Sequence, residues 1–355
     1  VTTPAIAAVR TRLVRIPLRR PWGPDVRQVH VVAVEVIDTA GEAGHGFSWT
    51  PSIGARAVHA MLDDHLAPAA LGLPADPGIW RRLWEGVHEA GGGGVTTIAL
   101  AGIDLALWDL RARRAGVGIP ELLGRRHARQ PAYGSGVNLH YSLAELEAQV
   151  RRWVEAGFSA VKVKVGRPDP AEDVDRLAAV RAVLGPDRGL MIDANQRWDL
   201  ESASRSLEMF AQFAPDWIEE PLRADDLAAH RELRRRTAIR IAVGENLHTV
   251  HRFRDFLDAG VADVVQPNVV RVGGITPFLH IAELARERGA ELAPHLLPEL
   301  SAQLAFALPE RTWVEDVEDA SFGSLGALRA DSGVRIVDGH ASGGPSLGLG
   351  LVFAE

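Results

Sequence analysis

The chain has 355 residues, 46% hydrophobic and 24% charged, with a formal net charge of −7 and no cysteine. This is enough apolar material for one large core or two. Interspersed acids and bases argue against nucleic acid and an anionic membrane surface as partners, and zero Cys excludes disulfides, thiolate metal sites and a Cys nucleophile. No stretch approaches the roughly 20 apolar residues of a membrane span and no signal-like run opens the chain, so a cytoplasmic location is expected.

The chain begins with strand-like alternation in AAVRTRLVRIPL and VHVVAVEVIDTAG, which predicts an antiparallel sheet. Between them RRPWGPDVRQ, with Trp22, Asp25 and Arg27, reads as a broken polar loop that could form a flap. From Ser52 to about Arg114 the pattern is helical and ends in TTIALAGIDLALWDLRARR, apolar nearly all round and therefore a buried helix. The run GGGG at 91–94 follows helix-like sequence and lacks a following Lys-Ser or Lys-Thr, so it predicts a flexible connection and not a phosphate loop.

After Pro131 short apolar runs alternate with amphipathic helices such as LAELEAQVRRWVEAG. Strands are expected near 132–138, 160–165, 189–193, 216–220, 240–244, 262–266, 290–294 and 312–316, which is a barrel count. The Gly-rich end of the chain predicts a loop and a short strand returning to the N-terminal domain.

Three acids close three successive apolar runs: Asp193 in GLMIDAN, Glu219 in DWIEEP and Glu245 in IAVGEN, each 26 residues from the next. One strand, one helix and two loops fill such an interval, so each step reads as a βα unit. Carboxylates at adjacent strand ends of a parallel barrel converge on its mouth and suit a hard cation taking oxygen ligands, most naturally Mg²⁺. One unit earlier, VKVKVG places Lys162 and Lys164 two apart on a strand and therefore on one face. Two ammonium groups crowded beside a cation predict a lowered pKa for at least one of them. Asn268, His295 and Glu315 end or follow later strands and would reach the same space. No G-x-S-x-G or H-E-x-x-H motif supports a hydrolase.

Taken together, IDLALWDL, VKVKVG, DANQRWD, WIEEPL, GENLHT, QPNVVRVGGIT, PHLL and WVEDV resemble the enolase superfamily and, within it, the mandelate racemase subgroup that includes many acid-sugar dehydratases. The resemblance implies an α/β fold, a modified TIM barrel (β/α)₇β at 126–320. It also implies an α+β capping domain at 1–125, to which residues 321–355 return. It implies Asp193, Glu219 and Glu245 as Mg²⁺ ligands, Lys164 as the base, Lys162 as its partner and His295 as base or acid on the opposite face. Glu315 matches a hydrogen-bond donor or acceptor to the substrate carboxylate, and Glu220 and Asn195 match supporting neighbours.

Proton removal α to a carboxylate builds a dianionic enediolate, which a lysine reaches only if the second charge is neutralised. The expected substrate is a small-molecule carboxylate, an acid sugar first, and the expected assembly a homo-oligomer. Trp22, Asp25, Arg27, Trp49, His88, His140 and Tyr141 are candidate linings for a polyol chain. At the sixth strand end the subgroup has Asp where this chain has Asn268. An Asn oxygen could accept from the His295 ring without stabilising its charge, so a weaker base is expected. That ranks sugar-acid dehydration first, racemisation or cycloisomerisation second, and a barrel without catalysis last.

Overall fold

The computed structural model describes residues 3–23 and 25–354; Pro24, inside the expected flap, lies outside the described residues, as do Val1, Thr2 and Glu355. Strands β1 (Ile6–Trp22), β2 (Val26–Asp38) and β3 (Ala43–Thr50) form an antiparallel sheet in that order. The segment expected as a broken loop is the end of this hairpin, with Trp22 paired to Val26. Its conformation is set by docking. Leu18 and Trp22 pack on the barrel's core cluster and Arg20, on the same face of the strand, donates to the Tyr141 hydroxyl at 2.8 Å.

Helices α1 (Ala55–Met61), α2 (Ala67–Ala70) and α3 (Trp80–Gly86) lead to α4 (Val95–Arg114) and the single turn α5 (Ile119–Leu122). α4 is buried on nearly every side, as its composition requires, and lies against β3. Gly46 makes that approach possible, since a Cβ there would sit 2.3 Å from the Gly102 carbonyl oxygen. The glycine run is not a loose tether. Thr96 donates its hydroxyl hydrogen to the carbonyl oxygens of Gly91 and Gly93, and a Cβ at Gly93 would come 2.8 Å from that of His248 in the barrel.

The barrel follows as β4 (Arg129–Ser135), α6 (Leu143–Glu155), β5 (Ala160–Lys164), α7 (Pro170–Leu184), β6 (Gly189–Asp193) and α8 (Leu200–Phe210). It continues through β7 (Trp217–Glu219), α9 (Leu227–Arg236), β8 (Ile241–Val243), α10 (Val250–Asp258), β9 (Val264–Val265), α11 (Ile275–Glu287), β10 (Glu291–Leu292), α12 (Pro298–Ala305) and β11 (Val314–Val317). Every ladder among these eight strands is parallel, running from β11 through β4 to β10, with seven helices between them. Local signals start the helices: Ser142 and Glu145 form a capping box on α6, and Asp169, Asp199, Asp226 and Thr249 cap α7 to α10.

Where an eighth helix would follow, the chain instead forms a hairpin of β12 (Val334–Val337) and β13 (His340–Gly343). This corrects the expected single strand. β13 pairs antiparallel with β4, and the N-terminal sheet is reached by Phe322 ahead of the hairpin and by the last residues: Phe322 and Phe353 both pack on Phe47, and Arg12 donates to the Ala354 carbonyl oxygen at 2.9 Å. Among the described residues no helix is long and apolar enough to cross a membrane.

Asp104 on α4 joins the N-terminal layer to the barrel by accepting from the Thr276 backbone N–H at 3.0 Å and from its hydroxyl. Burial raises this carboxyl to about 7 in spite of both bonds. Its native pKa lies above the unfolded value, so the native state holds the extra proton. The stabilisation is complete below about pH 4 and is lost as pH rises through about 7, an effect on the order of 4 kcal/mol. Thermal midpoints should therefore fall between pH 5 and pH 8, and Asp104→Asn, which keeps an acceptor, should flatten the fall. An unchanged slope in the variant would assign it to other groups.

Candidate active site

The strand ends place Lys162, Lys164, Asp193, Glu219, Glu245, Asn268, His295 and Glu315 together at the barrel mouth. Ladder register explains the adjacency: Lys164 pairs with Asp193, and Asp193 with Glu219. Val161, Val163 and Val165 point the other way into the main hydrophobic core.

Lys162 is fully buried between carboxylates, with Nζ 2.6 Å from Glu219 Oε2 and 2.8 Å from Glu315 Oε1. Burial alone would lower its pKa, but Glu219 and Glu315 outweigh it and hold the ammonium well above its usual range. Lys164 donates to Asp193 Oδ2. Burial lowers its pKa, Asp193 raises it, Lys162 lowers it again, and with Glu219 and Glu245 added the balance is upward. The lowering is expected for lysines beside a cation, and these upward directions come from the acids and lysines alone. The two ammonium groups repel each other, but four acids surround them, and only acids hold Lys164 up.

Glu219 Oε2 also accepts from Gln266 Nε2 at 2.7 Å, whereas its Oε1 is buried with no hydrogen-bond partner. Burial pushes this carboxyl up to about 7. Glu245 is held well below the usual carboxylate range, because the hydrogen bond from His295 and the Arg271 and Lys164 charges outweigh its burial. Donor atoms of Glu219, Glu245 and His295 lie within 4.8 Å of one another, the one such cluster among the described residues. Asp193, expected as the third ligand, is turned toward Lys164 and accepts from the Asn195 backbone N–H at 2.8 Å. The donor set fits a hard divalent cation: carboxylate oxygens dominate, and the partnerless Glu219 Oε1 is an orphan that a cation would satisfy.

Glu315 accepts from Ser135 Oγ at 2.7 Å and from the Leu296 backbone N–H at 2.9 Å. Burial raises it, but the Lys162 and Lys164 ammonium groups and the Lys162 hydrogen bond pull it below its usual range. Glu220 accepts from Gln196 and Asn246 at 3.0 and 2.8 Å, on the far side of the Glu219 strand end.

Asn268 reverses the expectation drawn for it. Its Oδ1 accepts from the backbone N–H groups of Val270 and Arg271, both at 3.1 Å, closing a local turn. Only Nδ2 remains to face the ring, 3.1 Å from His295 Nδ1. An amide nitrogen donates, so Nδ1 is the acceptor and the ring hydrogen sits on Nε2, which lies 2.9 Å from Glu245 Oε2. An Asp in this turn would put a second oxygen there and demand the opposite tautomer.

The outer residues divide. Trp22, His140 and Asn195 line a cavity of about 970 Å³ that also contains Lys164. Trp49 is buried behind it, edge-on to Trp22, with the Arg271 guanidinium 5.9 Å from its ring. Tyr141 is buried under Arg20, and its carbonyl accepts from Arg167 and Arg176. Arg27 and Asp25 are exposed and outside that cavity, and His88 is exposed on the helical side of the N-terminal layer, bonded to the Glu85 carbonyl. These three were placed by composition alone, which says nothing of the direction in which a hairpin or helix faces.

Sequence reasoning passed over Gln266 and Arg271. Gln266 lies two residues before Asn268, and this spacing was a usable signal. Arg271 was not visible locally; it reaches back to donate to the Glu245 carbonyl and to Asn246 Oδ1, both at 2.8 Å.

Residues 6–124 match the family described as mandelate racemase / muconate lactonizing enzyme, N-terminal domain, and residues 145–355 match the enolase C-terminal domain-like family. The chain belongs to the mandelate racemase/muconate lactonizing enzyme family of the enolase superfamily. Within this family it is 36% identical over 354 residues to a 3,6-anhydro-alpha-L-galactonate cycloisomerase of Streptomyces coelicolor, covering 98% of this chain and 97% of that one. It is 37% identical over 336 residues to an L-talarate/galactarate dehydratase of Salmonella typhimurium, covering 92% and 81%. A crystal structure of L-talarate dehydratase from Polaromonas sp. JS666, complexed with Mg and L-glucarate, superposes with a TM-score of 0.87 at 36% identity over 99% and 96% of the two chains. As a member of this family the chain is an enzyme.

Proposed function

We propose that this enzyme uses Mg²⁺ to act on an acid sugar and runs a β-elimination from the enediolate, dehydration in the first instance. The observation that carries the choice is the Asn268–His295 pair, which leaves a ring N–H, not a lone pair, toward the site. A two-base racemase needs a proton acceptor on each face, and here the second face offers a donor.

Asp193, Glu219 and Glu245 would hold the metal, which when bound supplies charge neutralisation to the substrate carboxylate. With a metal charge offsetting Asp193, Glu219 and Glu245, the Lys164 ammonium would give up its proton to solvent; its free Nζ then takes the α-proton, and the electron pair left on the α-carbon is delocalised into the carboxylate. As the β C–O bond breaks, that pair forms the α,β double bond. The leaving oxygen accepts a hydrogen bond from His295 Nε2–H and takes its proton from the ammonium that Lys164 has become. Lys162, locked between Glu219 and Glu315, keeps a fixed positive charge beneath this proton exchange.

The Streptomyces relative matches this chain over nearly its whole length, which supports cycloisomerisation as a second reading. There the leaving oxygen would be a ring ether instead of a hydroxyl, and no water would be released. A panel of acid sugars with Mg²⁺, followed by ¹H NMR in D₂O, separates the readings. Dehydration should yield a 2-keto-3-deoxy acid carrying solvent deuterium at C3. An anhydro acid opening without mass loss would favour cycloisomerisation, and α-epimerisation as the sole reaction would sink both.

A further inference from the structure

The cavity beside Lys164 and Asn195 extends outward to the starts of α7 and α8, between Trp22 on the hairpin and Trp198. Its far end is strongly positive. Arg167, Arg197 and Arg205 line it against one lining acid, Glu172, already bonded to Arg167 at 2.8 Å, while Asp199 outside the lining interacts with Arg205 through charge alone. Among the described residues Arg197 and Arg205 form no ion pair and no side-chain hydrogen bond. Arg197 is nevertheless held in place. Its stem lies over Gly166, which has φ 104, and a Cβ there would come 2.8 Å from Arg197 Cδ. Two unpaired guanidinium groups at the outer end of a substrate cavity represent stored affinity for an anion, because a planar fork pairs bidentately with a carboxylate.

We infer that Arg197 and Arg205 form a distal subsite for a second carboxylate, so that the substrate is a sugar diacid. Its reacting carboxylate would sit at the metal end and its far carboxylate on the arginines, with the polyol chain between Trp22 and Trp198. The assignment rests on the acid-sugar reading above. It makes Arg197 and Arg205 selectivity residues, since a monoacid of the same length leaves them unused.

The test compares a hexaric acid, the hexonic acid of the same configuration and its 6-phosphate. Each is titrated calorimetrically into Mg²⁺-loaded Lys164→Ala protein, where bound acid is not consumed, and KM is measured in the wild type. The diacid should bind at least about ten-fold more tightly than the monoacid, and Arg197→Gln with Arg205→Gln should bring that ratio close to one. Equal affinities in the parent protein, or a preference that survives both substitutions, overturn the subsite. Tighter binding of the phosphate overturns the choice of a carboxylate. Arginine-dependent diacid binding without α-proton exchange in the wild type would instead sink the elimination reading and leave the subsite standing.

Discussion

Lys164→Ala is expected to abolish α-proton exchange and product formation together, each by about three orders of magnitude, the scale of a lost general base. His295 should behave differently. His295→Ala removes only the donor to the leaving oxygen, so product formation should fall by about a hundred-fold while exchange in D₂O persists. His295→Asn, which offers an amide N–H, should recover part of the loss; no imidazolium acid could be replaced in this way. Asn268→Asp supplies the sharper contrast. The new carboxylate keeps the bonds from Val270 and Arg271 and turns its second oxygen toward Nδ1, moving the ring hydrogen there and freeing the Nε2 lone pair. Gain of exchange from the second face, with ¹⁵N shifts reporting the tautomer change, is the expected result. If His295→Ala eliminates exchange while Lys164→Ala leaves it intact, the base has been assigned to the wrong residue and the elimination reading must be withdrawn.

Loss of the metal should be the second large effect. Asp193→Asn, Glu219→Gln and Glu245→Gln should each weaken Mg²⁺ binding by at least about a hundred-fold, read by calorimetry, with the fold retained by circular dichroism. Retention is expected because these carboxylates sit at strand ends, and in the Glu219 variant Lys162 keeps Glu315 as a partner. Asp193 is turned to Lys164 while His295 stands beside Glu219 and Glu245, so the set must be tested against His295→Ala. Should that variant lose Mg²⁺ as fully as Glu245→Gln while Asp193→Asn does not, the metal centre is the Glu219, Glu245 and His295 cluster. Wild-type affinity in all three carboxylate variants would remove the site altogether.

The sequence by itself determined the parallel barrel and the meeting of its charged residues, because both follow from period and pitch. Alternation put Lys162 and Lys164 on one face, and equal spacing set Asp193, Glu219 and Glu245 at successive strand ends; these are local rules that tertiary contacts do not override. The tertiary structure alone decided what those groups do to one another. The lysine pair was legible and its titration was not, since the acids that hold Lys164 up, Asp193, Glu219 and Glu245, arrive from three other strand ends. The N-terminal hairpin read as a loop because its strand conformation depends on Leu18, Arg20 and Trp22 meeting the barrel, contacts invisible in a broken, Pro-rich run. Asn268 marks the boundary between the two. Its departure from the family pattern stood in the sequence, but an amide presents either an oxygen or a nitrogen, and only the backbone turn at Val270 and Arg271 fixed which one faces His295.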